Sequence, residues 1–301
     1  MLREMTANDV AMVAAICNAA MPHDIFTRNL VKDKTVDAKD YDPELTLVDQ
    51  EGDLLRGFVA GLQGERGGKP HGWVRLMGVH PRYQSRGIGT KLLSELERRL
   101  VARGVKNISI MDSPPNYLMP GVDVRYTQGF CFFAKQGYQR RTSSLNMICD
   151  LDAKQLNADL KDDLDDMEYE GVAVRRCEDG DYDATVGFVE RVFPPWMGEV
   201  LETFENKPIS TYIAISEDKI IGFSSYDSNN KGTGWFGPMG VDPDRQKKGV
   251  GTALLRLCLR DIAEQGRERA IIPWVGPVRF YAKRCAARID RVFWIWEKQF
   301  E

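Results

Sequence analysis

Histidine is scarce in this chain, and its cysteines are unpaired in spacing. Of 301 residues only three are histidine (His23, His71, His80), and the six cysteines form no Cys-x-x-Cys pair. The ligand spacings of a metal centre are missing, so no metal is expected. No apolar run reaches membrane-spanning length, and the opening Met1-Leu2-Arg3-Glu4-Met5 has no signal-peptide core, so no membrane or secretory role is expected. A large charge of either sign is also absent. The formal net charge of −3 gives no reason to expect nucleic acid or an acidic membrane as partner. Hydrophobic content of 43% and charged content of 28% belong to a globular protein. Most of the cysteines, Cys17, Cys131, Cys149, Cys177, Cys258 and Cys285, read as small buried hydrophobes in a reduced, cytoplasmic protein.

What the chain does have is one stretch written twice. Val79-His80-Pro81-Arg82-Tyr83-Gln84-Ser85-Arg86-Gly87-Ile88-Gly89-Thr90 returns as Val241-Asp242-Pro243-Asp244-Arg245-Gln246-Lys247-Lys248-Gly249-Val250-Gly251-Thr252. Each copy follows a short apolar run and leads into a leucine-rich segment, so the pattern is strand, glycine turn, helix. A helix start leaves backbone N–H groups without partners and carries partial positive charge. Glycines let an anion approach that backbone. Arg82 and Arg86 in the first copy, and Arg245, Lys247 and Lys248 in the second, add cations. A pyrophosphate suits this arrangement.

Other glycine turns fit less well. The dinucleotide fingerprint needs a third glycine that both copies lack, and the Gly-Lys-Ser/Thr of a nucleoside-triphosphate loop is missing. A structural turn would explain one copy alone, but not two copies with matching flanks. Gln84-Ser85-Arg86-Gly87-Ile88-Gly89 and Gln246-Lys247-Lys248-Gly249-Val250-Gly251 resemble the Gln/Arg-x-x-Gly-x-Gly/Ala signature of the GNAT superfamily of N-acetyltransferases. That resemblance implies an α/β (α+β) fold of two tandem domains, each a mixed, mostly antiparallel sheet flanked by helices. It also implies acetyl-coenzyme A as acyl donor. The pyrophosphate would lie on Gln84, Ser85, Arg86, Gly87, Ile88, Gly89 and Thr90 after Val79, or on Gln246, Lys247, Lys248, Gly249, Val250, Gly251 and Thr252 after Met239 and Val241. The acceptor would be a primary amine of a small molecule or peptide, and the protein a monomer or homodimer. A mycothiol-synthase-like acyltransferase and a non-catalytic acyl-coenzyme A binder remain as alternatives.

The duplication can be checked by position. Arg3/Arg175, Asp9/Asp181 and Pro22/Pro194 are each 172 apart (175 − 3, 181 − 9, 194 − 22). Gly57/Gly222 are 165 apart (222 − 57), and Gly87/Gly249 are 162 apart (249 − 87), as loop deletions in a duplicated domain would leave them. The expected division is 1–150, an acidic linker at 151–170, and 171–301. The linker has Leu156, Leu160, Leu164 and Met167 at helical spacing, but its charge favours a solvated segment.

The copies part near the end of each unit. Cys131-Phe132-Phe133-Ala134-Lys135 aligns with Arg279-Phe280-Tyr281-Ala282-Lys283, so Tyr281 stands opposite Phe133. In the family a tyrosine there commonly donates a proton to the departing thiolate. The resemblance thus makes Tyr281 the general acid and the C-terminal unit the working one. No base stands out, with Asp227 and Glu202 as candidates. Between glycines and aromatic the first unit has fourteen extra residues (133 − 89 = 44 against 281 − 251 = 30). They hold Tyr117 and Asp123, candidates for substrate contact or for filling an interface. Trp196, beside Pro194 and Pro195, is a candidate acceptor wall or a core residue.

Overall fold

The computed structural model describes residues 1–245 and 249–301, and the chain falls into two units. The first comprises Met1–Ser144 and Val292–Glu301, the second Leu145–Arg291.

The first unit opens with strand β1 (Leu2–Glu4) and helix α1 (Val10–Ala20). The corner between them is held by Asp9, whose carboxylate accepts from both terminal nitrogens of Arg3 at 2.7 Å and from the Thr6 N–H at 2.8 Å. Helix α2 (Arg28–Lys34), capped by the Thr27 hydroxyl, is too short for an apolar period to reveal it in the sequence. Strands β2 (Thr46–Glu51), β3 (Leu54–Arg66) and β4 (Lys69–Val79) follow as antiparallel neighbours. Then come α3 (Ile88–Ala102), β5 (Asn107–Ile110), the two-residue β6 (Val122–Asp123), α4 (Thr127–Lys135) and β7 (Gln139–Asp150), which passes out of the unit after Ser144.

The second unit contains α5 (Ala153–Tyr169), β8 (Ala173–Arg176), α6 (Tyr182–Val192), α7 (Met197–Phe204), β9 (Thr211–Ser216), β10 (Lys219–Tyr226), β11 (Phe236–Val241), α8 (Val250–Glu264), β12 (Arg269–Ile272) and α9 (Val278–Arg284). The final strand, β13 (Arg288–Gln299), begins here and ends in the first unit.

Within the first unit the strand order is β1-β2-β3-β4-β5-β13, and only the β4–β5 pair is parallel. In the second, β8-β9-β10-β11 is an antiparallel sheet, and β12 pairs with residues 147–150 of β7. The first is the mixed, mostly antiparallel sheet that the resemblance implied, the second is antiparallel with one parallel bridge beside it, and helices flank both. The corner of β1 and α1 recurs: Arg175 binds Asp181 at 2.6 and 2.8 Å, as Arg3 binds Asp9.

Two expectations about division are corrected. The boundary falls at Ser144 rather than at 150, because residues 147–150 find their ladder partner in β12. Residues 292–301 belong with the first unit, because Gln299 and its neighbours pair with β5. The acidic stretch is helix α5, not a solvated linker. Its Leu160 and Met167 are buried in the second unit's core, and the Asp152 carboxylate caps its first turn.

Each core sits between sheet and helices. Leu92, Leu93, Leu96 and Leu100 of α3 are fully buried in the first unit. In the second, α8 buries Thr252, Ala253, Leu254, Leu255, Leu257, Cys258 and Leu259 in succession, so it is covered on all sides. A charged knot crosses this core. Asp261 accepts from Arg176, from Arg260 at 2.8 Å and from the Tyr212 hydroxyl at 2.8 Å. All six cysteines are free thiols; four are buried, as expected of most of them, Cys285 is half-buried and Cys131 is exposed. No helix among the described residues is long and apolar enough to cross a membrane.

Candidate functional site

The twice-written turn occupies equivalent places. In the first unit, β4 and β5 run together only as far as the Val74–Ile110 pair, where the Met111 N–H donates to the Val74 carbonyl at 2.8 Å. Beyond it the strands part. The His80 N–H points to β3, donating to Arg56 at 2.9 Å, so strand alternation turns the backbone of Met77 and Val79 toward the gap. At the end of β4 the chain turns through Gly87, which takes φ +78, into the start of α3. Gln84 spends its side-chain amide on this architecture, donating to the Val79 carbonyl at 3.0 Å. His80 Nδ1 accepts from the Arg82 N–H at 3.2 Å. Ser85, Arg86, Gly87 and Thr90 are exposed, Gly89 is half-buried and Ile88 is anchored in the core.

The second unit repeats the gap. The Asp242 N–H donates to Ile221 at 2.8 Å, which turns Met239 and Val241 away from β10. On that side Trp235, the residue before β11, bridges to Ile271 of β12, with the Ile271 N–H donating to Gly234 at 2.7 Å. Asp242 replaces His80 as the turn's side-chain acceptor, taking the Asp244 N–H at 3.0 Å, and lies 3.4 Å from Arg191. Gly249 again has a positive φ, +96, and α8 starts at Val250. Gln246, Lys247 and Lys248 lie outside the described residues. Gly251 is half-buried and Thr252 buried.

Tyr281 sits on α9, buried, in the apolar cluster that also holds Phe236 and Val250, with Met239 and Val241 packed against it. Burial pushes its phenol above the ordinary range. The opposed Phe133 is buried in the first core, edge-on to Phe132 and Tyr138. The same relation holds between turn and helix in both units: a Cβ on Gly89 would meet Phe132 at 3.2 Å, and one on Gly251 would meet Phe280 at 3.5 Å.

The substrate candidates fare differently. Trp196 is half-buried and stacks on Phe193 with centroids 4.9 Å apart, so it packs under α6 and α7 while keeping part of its surface exposed. Tyr117 and Asp123 are buried. Asp123 is fully enclosed and takes the Arg125 guanidinium at 2.7 Å, so it fixes the start of α4 rather than lining an open pocket. Asp227 is likewise engaged, by the Gly232 N–H at 2.8 Å and Gln265 at 2.9 Å, which makes it a loop clamp rather than a poised base. It borders a cleft of about 200 Å³ with Lys207, Tyr226, Lys231 and Gln265. Glu202 is half-buried on α7.

Sequence reasoning missed a polar cluster alongside the paired segment of β4 and β5. His71 Nε2 is 2.9 Å from the Ser109 hydroxyl, and Arg66 donates to Ser109 and Asp112 at 2.8 Å each. Arg141 completes it, 3.5 Å from both Asp112 and Glu297. Burial, then the two guanidinium groups, push His71 down to about 4. Burial raises Asp112 to about 6 despite those cations. Its members come from β3, β4, β5, β7 and β13, so no local spacing announces it.

The residues present suit a nucleotide pyrophosphate in the first unit: glycine at an open turn, helix N–H groups, and exposed Arg82 and Arg86. Among the described residues no group of His, Cys, Asp or Glu could hold a metal ion.

The sequence profile of the acetyltransferase (GNAT) family matches this chain twice, at residues 16–117 and 169–288. An acetyltransferase of Sodalis glossinidius (strain morsitans) is 39% identical over 72 residues, which are 24% of this chain and 47% of that protein. The chain thus matches about half the length of this curated relative. Among solved structures, a fungal multi-domain β-N-acetylglucosaminidase carrying a glucosamine N-acetyltransferase region superimposes with a TM-score of 0.80 at 18% identity, over 99% of this chain and 38% of that one. A GCN5-related N-acetyltransferase from Sphaerobacter thermophilus gives a TM-score of 0.71 at 17% identity, over 99% and 95%. These two likenesses establish a shared fold.

Proposed function

The chain belongs to the acetyltransferase (GNAT) family, and from that premise we propose that it is an acetyl-coenzyme A-dependent N-acetyltransferase acting on a primary amine of a small molecule or peptide. The observation that carries the reading is Tyr281, a buried phenol sharing one apolar cluster with the strand and helix that flank the second glycine turn. The cofactor supplies an acyl group already activated as a thioester. Everything else is the work of the chain. The turn's backbone N–H groups and the helix start bind the pyrophosphate. The unpaired strand edge at Met239 and Val241 aligns an extended chain beside it, as a neighbouring strand would be aligned.

Tyr281 then acts on the leaving sulfur. An ordinary phenol and thiol differ by roughly 1.5 pKa units, about 2 kcal/mol, with the phenol the weaker acid. Burial moves Tyr281 further in that direction. The phenol therefore keeps its proton at neutral pH and serves as a hydrogen-bond donor to developing negative charge, never as a base. The acceptor amine must lose its own proton, since an unperturbed alkyl amine of pKa about 10.4 is almost wholly protonated at pH 7.

The test is release of free thiol from acetyl-coenzyme A across a panel of primary amines, amino sugars and peptide amino termini. Turnover with at least one amine class, reduced in Tyr281→Phe, supports the reading. Absence of both turnover and cofactor binding ends it. A second reading applies to the first unit alone: Phe133 has no proton to give while its glycine turn is open, which favours nucleotide binding without catalysis there. Unchanged turnover in a first-unit Gly89→Arg variant would support that division.

A further inference from the structure

Two thiols meet at the end of the helix that carries Tyr281. Cys149 lies on the part of β7 that pairs with β12, and Cys285 closes α9. Both belong to the apolar cluster of the second unit. The Cys149 thiol donates a hydrogen bond to the Cys285 sulfur. Their flanks are tied as well, because Arg288 donates to the Asp150 carboxylate at 2.8 and 3.3 Å. The two cysteines are 136 positions apart (285 − 149), so no Cys-x-x-Cys spacing announces them.

The pair is asymmetric. Cys149 is 1% exposed, whereas Cys285 is half-buried. The Cys149 hydrogen bond, against burial, holds the Cys285 thiol below its ordinary range, with help from the Ala287 N–H and the Arg256 guanidinium. The same hydrogen bond and burial push Cys149 up, so it keeps its proton. Thiol reactivity follows thiolate fraction and access, and both favour Cys285 as the nucleophile. The other buried thiols lack this setting. Cys177 and Cys258 lie against the hydroxyls of Thr185 and Ser224, at 3.6 and 3.3 Å. Burial pushes both of them, and Cys17, up.

Cys285 also touches the backbone of Tyr281. The Tyr281 carbonyl accepts from the Cys285 N–H at 3.1 Å, from the Ala287 N–H at 3.3 Å and from the Cys285 thiol at 3.3 Å. A bond between the two sulfurs would take that thiol from the carbonyl and fasten the end of α9 to β7.

We propose that Cys149 and Cys285 are a peroxide-reactive dithiol, in which Cys285 attacks, Cys149 resolves, and the resulting disulfide tightens the end of the helix that carries Tyr281. In the first step the Cys285 thiolate attacks one peroxide oxygen. The O–O bond breaks, the departing hydroxide takes up the proton that Cys285 gave, and Cys285 becomes a sulfenic acid. In the second step the Cys149 sulfur attacks the Cys285 sulfur. The S–O bond breaks, the Cys149 proton leaves with that oxygen as water, and the S–S bond forms. Two thiols are oxidised and one peroxide is reduced to two waters. This chemistry stands apart from the acetyl-coenzyme A reading; only its consequence for Tyr281 as an acid rests on it.

The test treats the full chain with hydrogen peroxide at pH 7, without cofactor, then alkylates and digests it. Wild type should give a peptide linking residues 149 and 285, released by dithiothreitol. In Cys149→Ser a dimedone probe should trap a sulfenic acid at Cys285, and in Cys285→Ser none should form at Cys149. Amide exchange of residues 281–287 should slow about fivefold in the linked protein. Absence of the 149–285 linkage in wild type, a sulfenic acid trapped at Cys149 instead of Cys285, or unchanged exchange at 281–287 each overturns the proposal. Mapping of wild type decides the linkage even where a serine variant fails to fold. A chain that forms the linkage but releases no thiol from acetyl-coenzyme A with any amine defeats the acetyltransferase reading alone, so the two failures are distinct.

Discussion

The carbonyl oxygen of Trp294 lies 2.6 Å from the position that a Cβ on Gly121 would take. Gly121 holds φ +131 there, a conformation other residues rarely adopt, and the obstacle is backbone of β13 that cannot rotate aside. Gly121→Ala should therefore cost at least about 2 kcal/mol, combining backbone strain with displacement of the last strand. Chemical denaturation of the full chain checks this; a loss below about 0.5 kcal/mol would mean that the loop is not seated on β13.

The same strand makes an early stop informative. A chain ending at residue 291 lacks the strand that pairs with both β5 and β6 of the first unit. It also removes Phe293 and Trp296 from that unit's core. Amide exchange should then accelerate throughout residues 54–135 while residues 211–264 stay protected. Equal acceleration of both segments would contradict the assignment of residues 292–301 to the first unit.

Asp261 should be among the costliest single changes in the second unit. Its buried carboxylate holds the half-buried Arg176 and Arg260, and the Tyr212 hydroxyl donates to it. Asp261→Asn takes the carboxylate from Arg176 and leaves Arg260 only Glu264 at 3.7 Å; breaking a fully buried pair costs about 3–5 kcal/mol, and with both guanidinium groups half-buried the expected loss is about 2 kcal/mol. A drop in Tm too small to correspond to 1 kcal/mol would show that solvent reaches the knot.

How much of this was legible beforehand depends on the range of the cause. The glycine turns, the flanking strands and helices, and the duplicated Arg3–Asp9 and Arg175–Asp181 corners are local, with fixed spacings that survive in the sequence. Periodicity also placed Leu156, Leu160, Leu164 and Met167 on one face, but the acidic charge around them argued for solvent. Burial of that face against α8 overrode composition. Strand exchange at residues 145–150 and 292–301 was illegible, because a strand's partner is not written in the strand. Tyr117 and Asp123 were candidates as polar groups in a proline-rich loop, and only the fold reveals that they are enclosed. The His71–Ser109–Asp112 cluster gathers residues up to 41 positions apart (112 − 71) with no motif among them.

That cluster makes the most specific prediction about pH. His71 titrates near 4 in the folded unit against an ordinary 6.5, so its neutral form is the one the fold accepts. Its contribution is complete above pH 6.5 and is lost as pH falls toward 4. Asp112 behaves oppositely: its folded value of about 6 exceeds the ordinary 3.8, so its contribution is complete below 3.8 and is lost as pH rises through 6. Shifts of this size correspond to roughly 3 kcal/mol each, and between pH 6 and 4 their slopes have opposite sign. The wild-type stability should hence be nearly flat across that window as far as these two groups decide it. His71→Gln removes one slope and leaves the other, so the variant should gain up to about 3 kcal/mol relative to wild type on going from pH 6.5 to 4. Asp112→Asn should lose by a similar amount over the same range. Denaturation curves of the three proteins at pH 7, 5.5 and 4 decide the matter, and parallel dependence in all three would mean that burial does not shift His71 and Asp112 in opposite senses as the geometry implies.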